Sequence, residues 1–128
     1  MKKQLKQVIE FHDKFKQEYN TSPQLLTLRE SLLRHKLMKE ENTEYLQAIK
    51  DKDLVEVADA LGDQLYILLG TILKHGMSEV IEEVFDRIHT SNLTKLDENG
   101  EPILREDGKI MKSELYQRVD LTSIFNND

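Results

Sequence analysis

Residues 39–63 read KEENTEYLQAIKDKDLVEVADALGD and place six acids, Glu40, Glu41, Glu44, Glu56, Asp59 and Asp63, inside two stretches that otherwise follow the spacing of buried helices. A helix turns about 100° per residue, so Glu41 and Glu44 share one face, and Glu56, Asp59 and Asp63 share another. Steps of three or four residues lead from Leu33 through Leu37, Glu41 and Glu44 to Ala48, so the first acid row interrupts the apolar stripe instead of lying opposite it. The polar break KDKD, residues 50–53, is short enough to make the two helices antiparallel neighbours with facing acid rows. Carboxylates packed in that way lose hydration and repel one another, so they need protons or cations. Oxygen-only ligation selects hard ions, magnesium first, with manganese as a substitute.

Working outward, Leu5, Val8, Ile9, His12, Phe15 and Tyr19 recur at helical steps and predict a first helix from Lys3 to about Tyr19, ended by the turn formers NTSPQ at residues 20–24. Thr27 and Glu30 form a capping box for a second helix running to about Lys50. Asp53 caps a third, whose inward face is read as Leu54, Val57, Ala58, Leu61, Leu65, Leu68, Leu69 and Ile72, and which Gly76 ends. Ser78 is placed as the cap of a fourth helix carrying Val80, Ile81, Val84, Phe85 and Ile88. After Thr94 the helical periodicity stops and Asn-Gly and Asp-Gly pairs appear, which predicts an extended, turn-rich tail. Ile103, Leu104, Ile110, Tyr116 and Leu121 are expected to pack that tail onto the helices. The expected fold is therefore all-α, one domain over residues 1–128, with a bundle of about four helices in 1–95 and the tail in 96–128.

Composition narrows the function. The chain has no cysteine, which removes disulfide, thiolate-metal and cysteine-nucleophile chemistry and suits a cytoplasmic location. Its longest apolar run, LYILLGTIL, is too short to span a bilayer, so no membrane partner is expected. A net charge of −6 argues against duplex nucleic acid, which is held by lysines and arginines replacing counterions. An acidic protein can still bind phosphates through divalent ions. A di-iron carboxylate bundle would need two ExxH pairs, and only Asp86 to His89 approaches one. A non-catalytic helical dimerisation module, with the acids on a solvated face, is the remaining alternative. The limited core of so short a chain favours a homodimer.

EENTE at residues 40–44 followed by EVAD at 56–59 resembles the EExxE and ExxD signature of the MazG-like nucleoside triphosphate pyrophosphohydrolases. DALGDQLYILLGTILKHG, residues 59–76, and IHTSNLTKLDENGEPILREDGKIMK, residues 88–112, are similar to a branch related to phosphoribosyl-ATP pyrophosphatases, and the resemblance spans about Leu28 to Leu121. It implies an all-α dimer or tetramer that uses magnesium to hydrolyse a nucleotide, often a non-canonical or surplus one, to its monophosphate and pyrophosphate. By position it makes Glu41, Glu44, Glu56 and Asp59 the metal ligands; Asp63, one turn beyond Asp59, is an additional candidate by helix spacing. Glu41 is the favoured general base, and Glu40 aligns with the leading acid of the motif, where it would assist. Asn92 and Lys95 match positions near the nucleotide; Tyr66, Arg105 and Lys112 are further candidates for substrate contact. Asn42 and Thr43 depart from the apolar and small residues common in the first motif, and SELY at residues 113–116 stands where the family has GPNY.

Overall fold

A computed structural model describes residues 1–125. Among the described residues the chain is mostly helical, with four main helices and a minute sheet, and it divides into two compact units, Met1–Glu79 and Val80–Asp128.

The first unit contains α1 (Lys2–Lys14), α2 (Leu28–Lys50) and α3 (Leu54–Lys74), with α3 packed against both of the others. Thr27 Oγ1 accepts the Glu30 N–H at 3.2 Å, and an Asp53 carboxylate oxygen accepts that of Glu56 at 3.1 Å. Both helices thus start where the capping residues place them, because each side chain takes up one of the amide protons that a helix start leaves unpaired.

All three helices end in the same way. A residue with left-handed backbone follows each C-cap, Lys16 (φ 56°), Lys52 (φ 54°) and Gly76 (φ 70°), and the next amide reaches back to the last turn. The closing bonds are Gln17 N to His12 O at 2.8 Å, Asp53 N to Ala48 O at 3.1 Å and Met77 N to Ile72 O at 3.0 Å. This closure corrects the expected end of α1, which stops at Lys14 and not near Tyr19. Tyr19 instead folds back to donate its hydroxyl to Asp13 at 2.8 Å, so apolar spacing continues past the end of the helix.

The connection from α1 to α2 seals the C-terminus of α3. Asn20 Nδ2 donates to the Lys74 carbonyl at 2.7 Å, the Gln24 amide donates to that of His75 at 3.0 Å, and His75 Nδ1 donates to the Gln24 carbonyl at 2.9 Å. Carbonyls that a helix end leaves unpaired are satisfied in this way by the loop crossing over them.

The core of this unit is Leu5, Val8, Ala48, Ala60, Leu69 and Leu73, with His12 and Arg34 buried beside it. Here α3 departs from its expected orientation: Leu54, Leu61, Leu65 and Leu68 are exposed, and the small residues Ala60 and Gly70 face inward. The helix is apolar on two sides, and spacing alone cannot tell which side the chain covers with its own residues.

In the second unit, α4 (Ile81–Leu93) begins after Val80 with no side-chain cap. Ser78 does not cap it, and its buried hydroxyl has no hydrogen-bond partner. Glu82 and Glu83 in the first turn favour the positive end of the helix dipole in its place. The tail forms an antiparallel hairpin, β1 (Ile103–Leu104) with β2 (Ile110–Met111), and a short helix, α5 (Thr122–Phe125). Hydrogen bonds hold the tail to α4 and its end: Ser91 Oγ to Gln117 O at 2.7 Å, Gln117 N to Thr94 Oγ1 at 2.8 Å and Ser113 Oγ to Leu96 O at 2.7 Å. Ile103, Leu104 and Ile110 are exposed, contrary to the packing expected of them, whereas Tyr116 and Leu121 are half-buried. A two-residue ladder leaves both faces of the hairpin to solvent.

Candidate metal centre

Antiparallel α2 and α3 bring together carboxylates from both helices. Among the described residues Glu41, Glu44 and Asp63 each offer an oxygen, and these oxygens lie within 4.8 Å of one another. Glu41 is half-buried, and its Oε2 is buried with no hydrogen-bond partner among the described residues. Gln64, beside Asp63, donates to the Glu41 main-chain carbonyl at 3.3 Å and ties the helices together at the same level.

The Glu41 carboxyl is pushed up to about 7. Burial is the largest cause, followed by its hydrogen bond to Glu44 and the charges of Glu44, Asp63 and Asp59. Protonation of Glu41 thus relieves the cluster when no cation does. A buried carboxylate oxygen without a donor, in a group of acids that resist joint ionisation, is the arrangement that a divalent ion satisfies. The donor set is all oxygen, which suits a hard ion, so the residues fit one.

The sign of the resulting pH dependence follows. The ordinary value is 4.5 and the folded value lies near 7, so below about 4.5 the stabilisation from protonating Glu41 is complete, and it is lost as the pH rises through 7. Without metal, the thermal midpoint is therefore expected to fall between pH 5 and pH 8. A divalent ion must displace that proton, so affinity for manganese is expected to rise by up to roughly tenfold per pH unit over the same window. Titrations of metal-free chain at pH 5, 6, 7 and 8 measure both; a flat affinity across this range would show that Glu41 does not compete with the ion for its proton.

The other site residues named from the sequence are dispersed. Asp59 lies close enough for its charge to act on Glu41 but outside the triad. Glu56 is exposed, one turn nearer the start of α3, with its amide held by the Asp53 cap. Glu40 is exposed and adjoins Glu41 on α2. Tyr66 packs edge-on against Phe11, ring centroids 5.6 Å apart. Asn92 and Lys95 lie in the second unit, in the last turn of α4 and just beyond it. Arg105 there makes a two-point ion pair with Asp107, and the Lys112 ammonium sits 4.8 Å from the Tyr116 ring centroid.

Two features of the α2–α3 pair are not legible in the sequence. One is a cleft of about 610 Å³ between α2 and α3, lined by His35, Met38, Lys39, Asn42, Leu61, Gln64, Leu65 and Leu68. Its apolar wall is formed by Leu61, Leu65 and Leu68, the exposed leucines of α3 that spacing alone places in the core. The other is the buried Arg34; its position seven residues before Glu41, on the same face of α2, was the available signal.

The whole acid motif falls inside a stretch, residues 8–92, that matches the family model for phosphoribosyl-ATP pyrophosphohydrolase. The chain belongs to that family. It is a nucleotide pyrophosphohydrolase of the MazG-like type, a hydrolase of phosphoric anhydrides, and the family depends on divalent metal. No curated protein matches the chain significantly. The family match starts within α1, upstream of the resemblance that begins near Leu28, and ends at Asn92, so Lys95, Arg105 and Lys112 lie beyond it. Among the described residues, no helix is long and apolar enough to cross a membrane.

Proposed function

We propose that the chain converts a nucleoside triphosphate, with non-canonical and deoxy nucleotides among the candidates, to its monophosphate and pyrophosphate with magnesium, manganese serving as a substitute. The observation that carries this reading is the unpartnered Glu41 oxygen among three converging carboxylates. Glu41, Glu44 and Asp63 would hold the ion, with Asp59 one turn away. Glu56 as a ligand rests on the family motif. An ion bound there would neutralise phosphate charge and lower the pKa of water. Glu41 is also assigned, from the family motif, to accept the proton of the attacking water, and exposed Glu40 beside it to assist.

The cleft next to Asn42 and Gln64 has an apolar wall for a base or sugar and amides able to recognise polar edges. Asn92, Lys95, Arg105 and Lys112 are proposed contacts on the strength of the resemblance, and Tyr66 on its spacing two turns beyond Asp59. The exposed leucines of α3 favour a homodimer, or a tetramer, in solution, and the absence of cysteine fits the cytoplasm.

The test is a panel of canonical and modified nucleoside triphosphates with magnesium, followed by separation of the products. Pyrophosphate and monophosphate should appear together and vanish with chelator. Release of orthophosphate and a diphosphate, or turnover that survives chelation, would contradict the proposal.

A further inference from the structure

A guanidinium with only neutral partners lies along the same helix pair as the acid triad. Arg34 is 8% exposed. From α2 its Nε donates to the Thr71 hydroxyl at 3.0 Å and its Nη2 to the Ile67 carbonyl at 2.9 Å, both on α3. Among the described residues no carboxylate forms an ion pair with it. Gly70 makes the room: a Cβ there would stand 2.8 Å from Arg34 Nη2 and 3.3 Å from His12 Cε1.

Cohesion is a poor account of such a residue. An apolar side chain of similar volume would hold the helices together without the cost of stripping water from a charge. Two directional bonds to fixed points on α3 supply something that apolar contact does not, namely the register of one helix against the other. Those points are aligned with the acids. Arg34 and Glu41 are two turns apart on one face of α2, and Ile67 is one turn beyond Asp63 on α3.

We propose that Arg34 is a positioning residue for the metal site: by fixing the register of α2 against α3, it sets the distance of Glu41 and Glu44 from Asp63 and so the preference for a small, geometrically demanding ion. The proposal rests on the reading that these three acids hold the ion. Magnesium sites tolerate little distortion, whereas calcium accepts longer and more irregular oxygen shells, and manganese, nearer to magnesium in size than calcium is, serves as its spectroscopic probe. Loss of register should therefore change selectivity and not only affinity.

The experiment compares the wild-type full chain with Arg34→Met and Gly70→Ala. Manganese affinity is read from the electron paramagnetic resonance signal of the free ion, calcium affinity by calorimetry, and kcat, KM and thermal midpoint on the same samples. Arg34→Met should fold and lose roughly 10–100-fold in manganese affinity, with a smaller loss for calcium and a fall in kcat larger than any rise in KM. Gly70→Ala retains the guanidinium but displaces it, and should shift the manganese-to-calcium ratio the same way, although alanine is the better helix former. Should Arg34→Met fail to fold, Gly70→Ala carries the test alone. A folded variant of either kind with the wild-type ratio and kcat would overturn the proposal. Wild-type manganese affinity that is indifferent to Glu44→Gln would instead overturn the site reading beneath it.

Discussion

Glu44→Gln is expected to lower kcat/KM at least about 100-fold, equivalent to roughly 3 kcal/mol of transition-state stabilisation, and to weaken manganese binding in parallel. The substitution keeps the shape but removes one of three anionic oxygens within 4.8 Å of one another. It also removes the group whose hydrogen bond and charge contribute to raising Glu41, so the Glu41 carboxyl should fall back toward its ordinary value. Metal-free Glu44→Gln should accordingly be more stable than metal-free wild type at pH 8, while being far less active. That opposition is the mark of a site whose charges are held together for function at the expense of the fold. Full activity in a folded Glu44→Gln chain would remove Glu44 from the site.

Asp63→Asn should behave similarly, since Asp63 is the triad's contribution from α3. Glu56→Gln tests how far the site extends along that helix. The family motif makes Glu56 a ligand, whereas the geometry leaves it one turn from Asp59 and outside the triad. A loss equal to that of Asp63→Asn would mean that ion binding draws in the first turn of α3.

The second large effect is structural: Gly76→Ala is expected to cost at least about 3 kcal/mol, lowering the thermal midpoint by roughly 10 °C or more. Left-handed backbone is not the main reason, because Lys16 and Lys52 adopt it with side chains present. At Gly76 a Cβ would stand 2.0 Å from the Ser22 carbonyl oxygen. That obstacle is main chain, so no rotamer change relieves it; the loop must move and release its bonds to Lys74 and His75, each worth about 1 kcal/mol. Gly100→Ala is the control. Its φ is 75° but nothing lies within 4 Å of a Cβ there, so it should cost only the conformational part, about 1 kcal/mol. Thermal unfolding of both variants checks the contrast, and equal midpoints would refute it.

Much of the site could be read before the fold was known, because helix geometry converts sequence spacing directly into angular position. Glu41 and Glu44 had to share a face, and a three-residue break between α2 and α3 had to return the chain alongside itself. Capping worked for the same reason: Thr27 and Asp53 act on amides three residues away, so nothing distant can override them. Two local expectations fail all the same. α1 ends early because the Gln17 amide closes onto the His12 carbonyl, and Tyr19 then turns back to Asp13. Ser78 looked like a cap and is a buried hydroxyl without a partner.

By itself, then, the sequence determined the helical class, the antiparallel pairing of α2 and α3, the acid rows and the family, all of which depend on periodicity and short-range chemistry. Only the tertiary structure decided that Asp63 is the acid of α3 that meets Glu41 and Glu44, that the leucine face of α3 lines a cleft, and that Arg34 spans to Ile67 and Thr71. These outcomes turn on the rotation and axial offset of one helix against another. Spacing within a helix leaves both quantities free, and side chains far apart in the chain set them.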